Sequence, residues 1–163
     1  MKEDELQRLY DLDLSANKRL ESVRDLFLIG AYTGLRFSDF TRLKPENITN
    51  GGRTLAIETQ KVKGTPVIPL NPNARAIFNK YGCLLPRAIS NQKFNEYLKE
   101  VAQLVEFTEK VQTTRTQGGK RTTTTSEKWQ LVRSHTARRS FATNAILAGL
   151  APGDVMKITD LRF

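Results

Sequence analysis

The run Leu26-Phe27-Leu28-Ile29-Gly30-Ala31-Tyr32-Thr33-Gly34-Leu35-Arg36 decides how this chain is read. Apolar side chains fill its first part almost without a break, and with Val23 upstream they mark a helix that is mostly buried. Thr33-Gly34 ends that helix. Ser38 offers a cap for a short one through Leu43, and Lys44-Pro45 stops it. Arg36 therefore sits at a helix junction, a place equally open to an ordinary surface arginine.

Outward from that junction the pattern alternates between two periods. Upstream, Leu6, Leu9 and Tyr10 follow an acidic opening at helical spacing. Downstream, Asn50-Gly51-Gly52 is a strong turn signal. Residues Thr54 to Thr59 and Pro66 to Leu70 read as strands of a small antiparallel sheet, with Lys63-Gly64-Thr65 turning between them. Asn71-Pro72-Asn73 caps a helix through Lys80. Ser90 caps another whose apolar residues Phe94, Tyr97, Leu98, Val101, Leu104 and Val105 repeat at three and four. The polar tract from Thr108 to Lys128 fits either a β-ribbon turning at Gly118-Gly119 or a disordered loop, and its alternating threonines favour the ribbon. Ser134 caps a helix that ends at Gly149, and a last one starts near Pro152. The expected fold class is α+β, mostly helical, in one domain without repeat or linker.

Bulk properties narrow the function. The chain has 163 residues, 39% apolar and 26% charged, proportions that exclude a disordered or fibrous chain. Lys and Arg number 26 against 17 Asp and Glu, a formal charge of +9. That favours a polyanionic partner, unless the excess serves only solubility. Apolar stretches fall far short of the roughly 20 residues of a bilayer span, and the charged start has no signal-peptide core. The expectation is a soluble, cytoplasmic protein without a membrane partner. Cys83 is the single cysteine, which leaves no disulfide framework and no thiolate metal cluster.

Three basic elements carry the candidate chemistry: Arg36, Lys61 at the end of a strand, and the helical turn His135-Thr136-Ala137-Arg138. Each alone has a bland reading, as a surface arginine, a solvated hairpin lysine and a capped first turn. Together they suit phosphoryl transfer, whose pentavalent phosphate gathers negative charge on its non-bridging oxygens. Arginine forks onto such oxygens and keeps its charge, lysine can protonate a leaving alkoxide, and imidazole can donate a hydrogen bond or move a proton. His135 and Arg138, three residues apart, share one helix face.

These residues resemble those of the tyrosine recombinases. Thr33-Gly34-Leu35-Arg36-Phe37-Ser38-Asp39 with Leu43-Lys44-Pro45-Glu46-Asn47-Ile48 looks like the family's first arginine box. Thr59-Gln60-Lys61 with Val67-Ile68-Pro69-Leu70 looks like its β-hairpin lysine segment. Ser134-His135-Thr136-Ala137-Arg138-Arg139-Ser140-Phe141-Ala142-Thr143 looks like its His-x-x-Arg box. The order is kept over nearly the whole chain, so residues 1–163 are read as a tyrosine-recombinase catalytic domain with a β-ribbon insertion as one reading of the threonine tract.

The resemblance implies that Arg36 and Arg138 bind a scissile phosphate, that Lys61 (with Lys63 as fallback) is the general acid, that His135 assists proton transfer, and that Asp39 braces Arg36. DNA-binding residues would be Lys63, Arg115, Lys120, Arg121 and Arg139. It further implies double-stranded DNA as partner, a tetramer on DNA for the complete protein with this chain alone monomeric, bacterial mobile-element integration as the setting, and no metal or cofactor. The family places a Gly-His after Met156-Lys157-Ile158-Thr159 and its nucleophilic tyrosine some nine residues beyond. Here Asp160-Leu161-Arg162-Phe163 follows, with Leu161 where the histidine would stand. The expectation is a domain without its N-terminal core-binding partner and without its nucleophile, which binds DNA but does not cut it. Tyr10, Tyr32, Tyr81 and Tyr97 are read as structural. DNA relaxation of the type IB topoisomerase kind is the remaining alternative.

Overall fold

The computed structural model describes residues 1–57, 67–159 and 161, the side chains of Arg115, Gln117 and Lys120 excepted. Glu3–Asp11 forms α1 and Lys18–Thr33 forms α2, the rod around which the other helices are arranged. Its apolar face is so wide that even Arg24 and Asp25 are buried. Both are paired, as buried charges must be. Arg24 Nη1 donates to the carbonyls of Leu9, Tyr10 and Leu12, which satisfies the open C-terminal end of α1. Asp25 accepts from Arg24, from Lys80 at 2.8 Å and from the Tyr81 hydroxyl at 2.7 Å.

α2 ends at Gly34, whose φ of 70° is left-handed and whose N–H donates to the Gly30 carbonyl at 3.0 Å. That turn restarts the chain as the short helix α3, Phe37–Phe40. Ser38, expected to cap it, lies inside it. The left-handed turn has already reversed the chain, so the cap falls at Arg36, whose carbonyl accepts from the Asp39 and Phe40 amides. The helix also stops at Phe40 rather than Leu43.

Ile48–Thr49 (β1), Thr54–Ala56 (β2) and Val67–Pro69 (β3) form an antiparallel sheet in that order, with Leu55 opposite both Ile48 and Ile68. β1 was not foreseen, since two residues carry no periodicity. The continuation of the predicted strands through residues 58–66 lies outside the described residues, and with it the expected turn and both Lys61 and Lys63.

Pro72–Lys80 forms α4, capped by Asn71 through a 2.8 Å bond from the Ala74 amide, and Asn91–Leu104 forms α5, capped by Ser90. Phe94, Leu98, Val101 and Val105 face the core, but Leu104 is 55% exposed. At 100° per residue Leu104 falls about 80° off the line of Phe94, at the edge of the stripe. Lys110–Gln117 (β4) and Lys120–Glu127 (β5) pair over eight residues each, turning at Gly118-Gly119, both with positive φ. The threonine tract is thus a ribbon. Lys128–Leu131 (α6), Ser134–Leu147 (α7) and Pro152–Thr159 (α8) complete the described chain, and α7 and α5 pack against α2. Among the described residues no helix is long and apolar enough to cross a membrane.

Candidate phosphate-binding site

Arg36, His135 and Arg138 line one open cavity of about 360 Å³, together with Leu35, Phe37, Ser38, Asn91 and Ser134. Local structure delivers each side chain. Leu35, 1% exposed, anchors the turn after Gly34 in the core, so the next residue, half-buried Arg36, is presented at the cavity wall. Phe37 packs edge-on against Phe40 at 5.5 Å and Phe94 at 5.1 Å, tying α3 to α5. The first arginine therefore stands on a braced turn.

The second arginine is fixed by the first one's turn. Arg138 is 4% exposed, and its Nη1 donates to the Gly34 carbonyl at 2.9 Å. A Cβ on Gly34 would approach Phe141 Cδ1 to 2.5 Å, so the backbone meets α7 at a distance only glycine permits. His135, one turn before Arg139 and three residues before Arg138, is exposed at the cavity rim. Its pKa lies below the usual imidazole value, lowered by partial burial and then by repulsion from Arg138, Arg139 and Arg36. The three cations are thus close enough to feel one another, and an anion among them would relieve that repulsion.

The expected cap of α7 was misplaced by one residue. Arg133 holds the cap position, and its amide donates to Thr136 Oγ1 at 3.0 Å. Ser134 instead joins α7 to α5: its amide donates to Asn95 Oδ1 at 2.7 Å and its hydroxyl to Asn91 Oδ1 at 2.9 Å. Asn95 Nδ2 also donates to Asn91 Oδ1, at 3.2 Å. Asn91 and Ser134 were not named as site residues, because no local pattern links a helix start to a residue so far along the chain.

Of the other described sequence-named residues, Asp39, Arg139 and Arg121 do not line this cavity. Asp39 is 1% exposed and accepts from Arg42 at 3.3 Å and Ser38 at 3.4 Å, while its amide donates to the Arg36 carbonyl at 2.9 Å. Exposed Arg139 lines a neighbouring cavity with Val111, Lys128 and Thr143. Arg115, Lys120 and Arg121 lie on the ribbon. Among the described residues no three His, Cys, Asp or Glu side chains converge as a metal site.

No tyrosine lines the cavity among the described residues. The Tyr32 hydroxyl accepts from Asn73, the Tyr81 hydroxyl donates to Asp25, the Tyr97 ring lies 4.0 Å beneath Arg19, and Tyr10 packs on the core. Burial pushes Tyr32 up to about 12, and burial with the Asp25 charge does the same to Tyr81. That is the reverse of an activated nucleophile.

The fold has a counterpart among known proteins. The model of the phage integrase family matches residues 1–161, and the chain belongs to that family, the tyrosine recombinases. The structure of XerA recombinase superposes with a TM-score of 0.66 at 14% identity, covering 98% of this chain and 54% of that one. XerH site-specific recombinase bound to difH substrate gives 0.65 at 16%, covering 100% and 47%. The Tn1549 transposon integrase in complex with circular intermediate DNA gives 0.62 at 15%, covering 99% and 55%. No curated protein matches this chain in sequence. The chain thus spans about half the length of these neighbours, and at such identities the likeness is one of fold: the α+β architecture expected above.

Proposed function

We propose that this chain grips a DNA phosphate as the cationic part of a site-specific recombinase. The observation that carries the reading is the convergence of Arg36, Arg138 and His135 on one cavity, with Arg138 locked to the turn that presents Arg36. Arg36 and Arg138 bind the non-bridging oxygens of the scissile phosphate, where their fixed charge counts most as the pentavalent state forms. His135, its pKa lowered by partial burial and then by the neighbouring arginines, donates a hydrogen bond or moves a proton at the same oxygens. Asp39 steadies Arg36 by holding the first turn of α3.

In the complete protein a tyrosine hydroxyl attacks phosphorus, the bond to the 5′ oxygen breaks, and a 3′-phosphotyrosyl ester forms. The departing 5′ oxygen takes its proton from Lys61, with Lys63 as the alternative donor. A 5′-hydroxyl from a partner strand then reverses the step, so the ester's energy is conserved and rejoining needs no external energy source. Assembly as a tetramer on duplex DNA belongs to this reading. Lys63, Arg115, Lys120, Arg121 and Arg139 supply further DNA contacts.

The nucleophile is none of this chain's four tyrosines, given the places they occupy. Incubation with a nicked suicide duplex tests this. Salt-sensitive binding without a covalent adduct is expected, and an adduct mapped to Tyr10, Tyr32, Tyr81 or Tyr97 would overturn it.

A further inference from the structure

The β4–β5 ribbon has two unlike faces. Register places Gln112 opposite Thr125, Thr114 opposite Thr123 and Thr116 opposite Arg121, so these six share one face, and all six are exposed. The Thr114 and Thr123 hydroxyls meet across it at 3.1 Å. On the other face Val111, Thr113 and Ser126 are half-buried, and Val111 lines a cavity with Thr136, Arg139 and Thr143 of α7. The ribbon is thus rooted against the flank of the helix that carries His135 and Arg138, and the six outer-face residues lie exposed beyond that root.

Beyond its root, where Lys110 stands opposite Glu127, that outer face consists of hydroxyls, an amide and a guanidinium. β-Propensity explains threonine on a strand, but not the charge: residues 110–127 hold Lys110 and Arg121 at positions of this face and Arg115 and Lys120 at positions of the other, against the single acid Glu127. A two-stranded hairpin standing off its domain is marginal by itself, and exposed ribbon edges are a hazard unless something engages them. Strands about 4.8 Å apart, with their side chains, match the roughly 12 Å major groove and exceed the roughly 6 Å minor groove. Thr, Gln and Arg are also the side chains that pair with base edges there: Gln with adenine, Arg with guanine, Thr with an acceptor or the thymine methyl.

We infer that the outer face of this ribbon enters the major groove of duplex DNA and reads base edges beside the phosphate held by the arginine pair. The inference rests on the proposed function, and it assigns to Gln112, Thr114, Thr116, Arg121, Thr123 and Thr125 the sequence preference that the arginine site cannot supply. Phosphate contacts fix register, whereas groove contacts carry sequence information.

Selection from a random duplex pool, with the full chain and with a Gln112→Ala/Thr114→Ala/Thr123→Ala variant, tests it. The three side chains are exposed, so the fold should survive, and far-UV circular dichroism checks this. The wild-type chain should enrich a motif. The variant should bind mixed-sequence duplex at low salt within about threefold of wild type, yet lose roughly 5- to 100-fold discrimination at two to four adjacent base pairs. An identical motif from the variant, no motif from wild type, or an equal loss across all sequences would overturn the ribbon's role. An Arg36→Ala chain that binds as wild type while the ribbon variant loses its motif would instead sink the arginine site and leave the ribbon standing.

Discussion

Arg138 Nη1 donates to the Gly34 carbonyl at 2.9 Å, so the second arginine of the cavity is oriented by the turn that displays the first. The two halves of the site, far apart in sequence, are one mechanical unit. Whatever disturbs Gly34 disturbs both guanidinium groups, because its φ of 70°, its contact with Phe141 and its carbonyl all serve the same junction.

Gly34→Ala should therefore be among the costlier small substitutions. A left-handed alanine costs about 1 kcal/mol, and the 2.5 Å approach to Phe141 adds steric strain of about 1–3 kcal/mol. Gly51→Ala is the control, with a φ of 62° and open space around it, so only the first cost applies. Urea unfolding should separate the two variants by more than 1 kcal/mol.

Arg138→Ala removes a buried hydrogen bond and leaves the space of a 4% exposed side chain, and should destabilise by about 2–3 kcal/mol. Arg36→Ala, at a half-buried position, should cost less stability yet weaken duplex binding as strongly. Arg138→Lys keeps the charge but cannot both hold the Gly34 carbonyl and fork onto a phosphate, so it should fold and still bind poorly. Thermal melting and fluorescence anisotropy on the three variants check the pattern.

His135 is the chain's one histidine, so its imidazole resonances are unambiguous in an NMR titration. Its pKa should lie below the ordinary 6.5, rise in Arg36→Ala, and rise when inorganic phosphate occupies the cavity. The sign for stability follows. As pH falls, the unfolded chain takes up this proton first, so the contribution of His135, full above about 6.5, is lost as pH drops through its folded value. Titration at or above 6.5 without phosphate would contradict the cation cluster.

Much of this was legible in the sequence because local rules happened to agree. The buried helix ending at Gly34, the Asn71 and Ser90 caps and the Gly118-Gly119 ribbon turn each combine periodicity with a specific backbone demand. Arg36, His135 and Arg138 were found by residue type and order, and the structure brings them to one cavity. The failures were those of tertiary context. Ser38 and Ser134 look like caps, but the first was overtaken by the Gly34 turn and the second was drawn to Asn91 and Asn95 on another helix. Leu104 fitted the three-and-four spacing yet sits at the stripe's edge. Strand β1 is too short to announce itself, and Asn91 gains its place at the cavity only through packing of α5 against α7.

The central claim is that Arg36 and Arg138 hold a DNA phosphate, and the salt dependence of duplex binding tests it most directly. Anisotropy of a labelled duplex, measured from about 50 to 200 mM salt for wild type and Arg36→Ala, gives two slopes of log affinity against log salt. The account predicts that the variant binds at least about tenfold more weakly at the low end, with a slope shallower by about 1. Superimposable lines would contradict it.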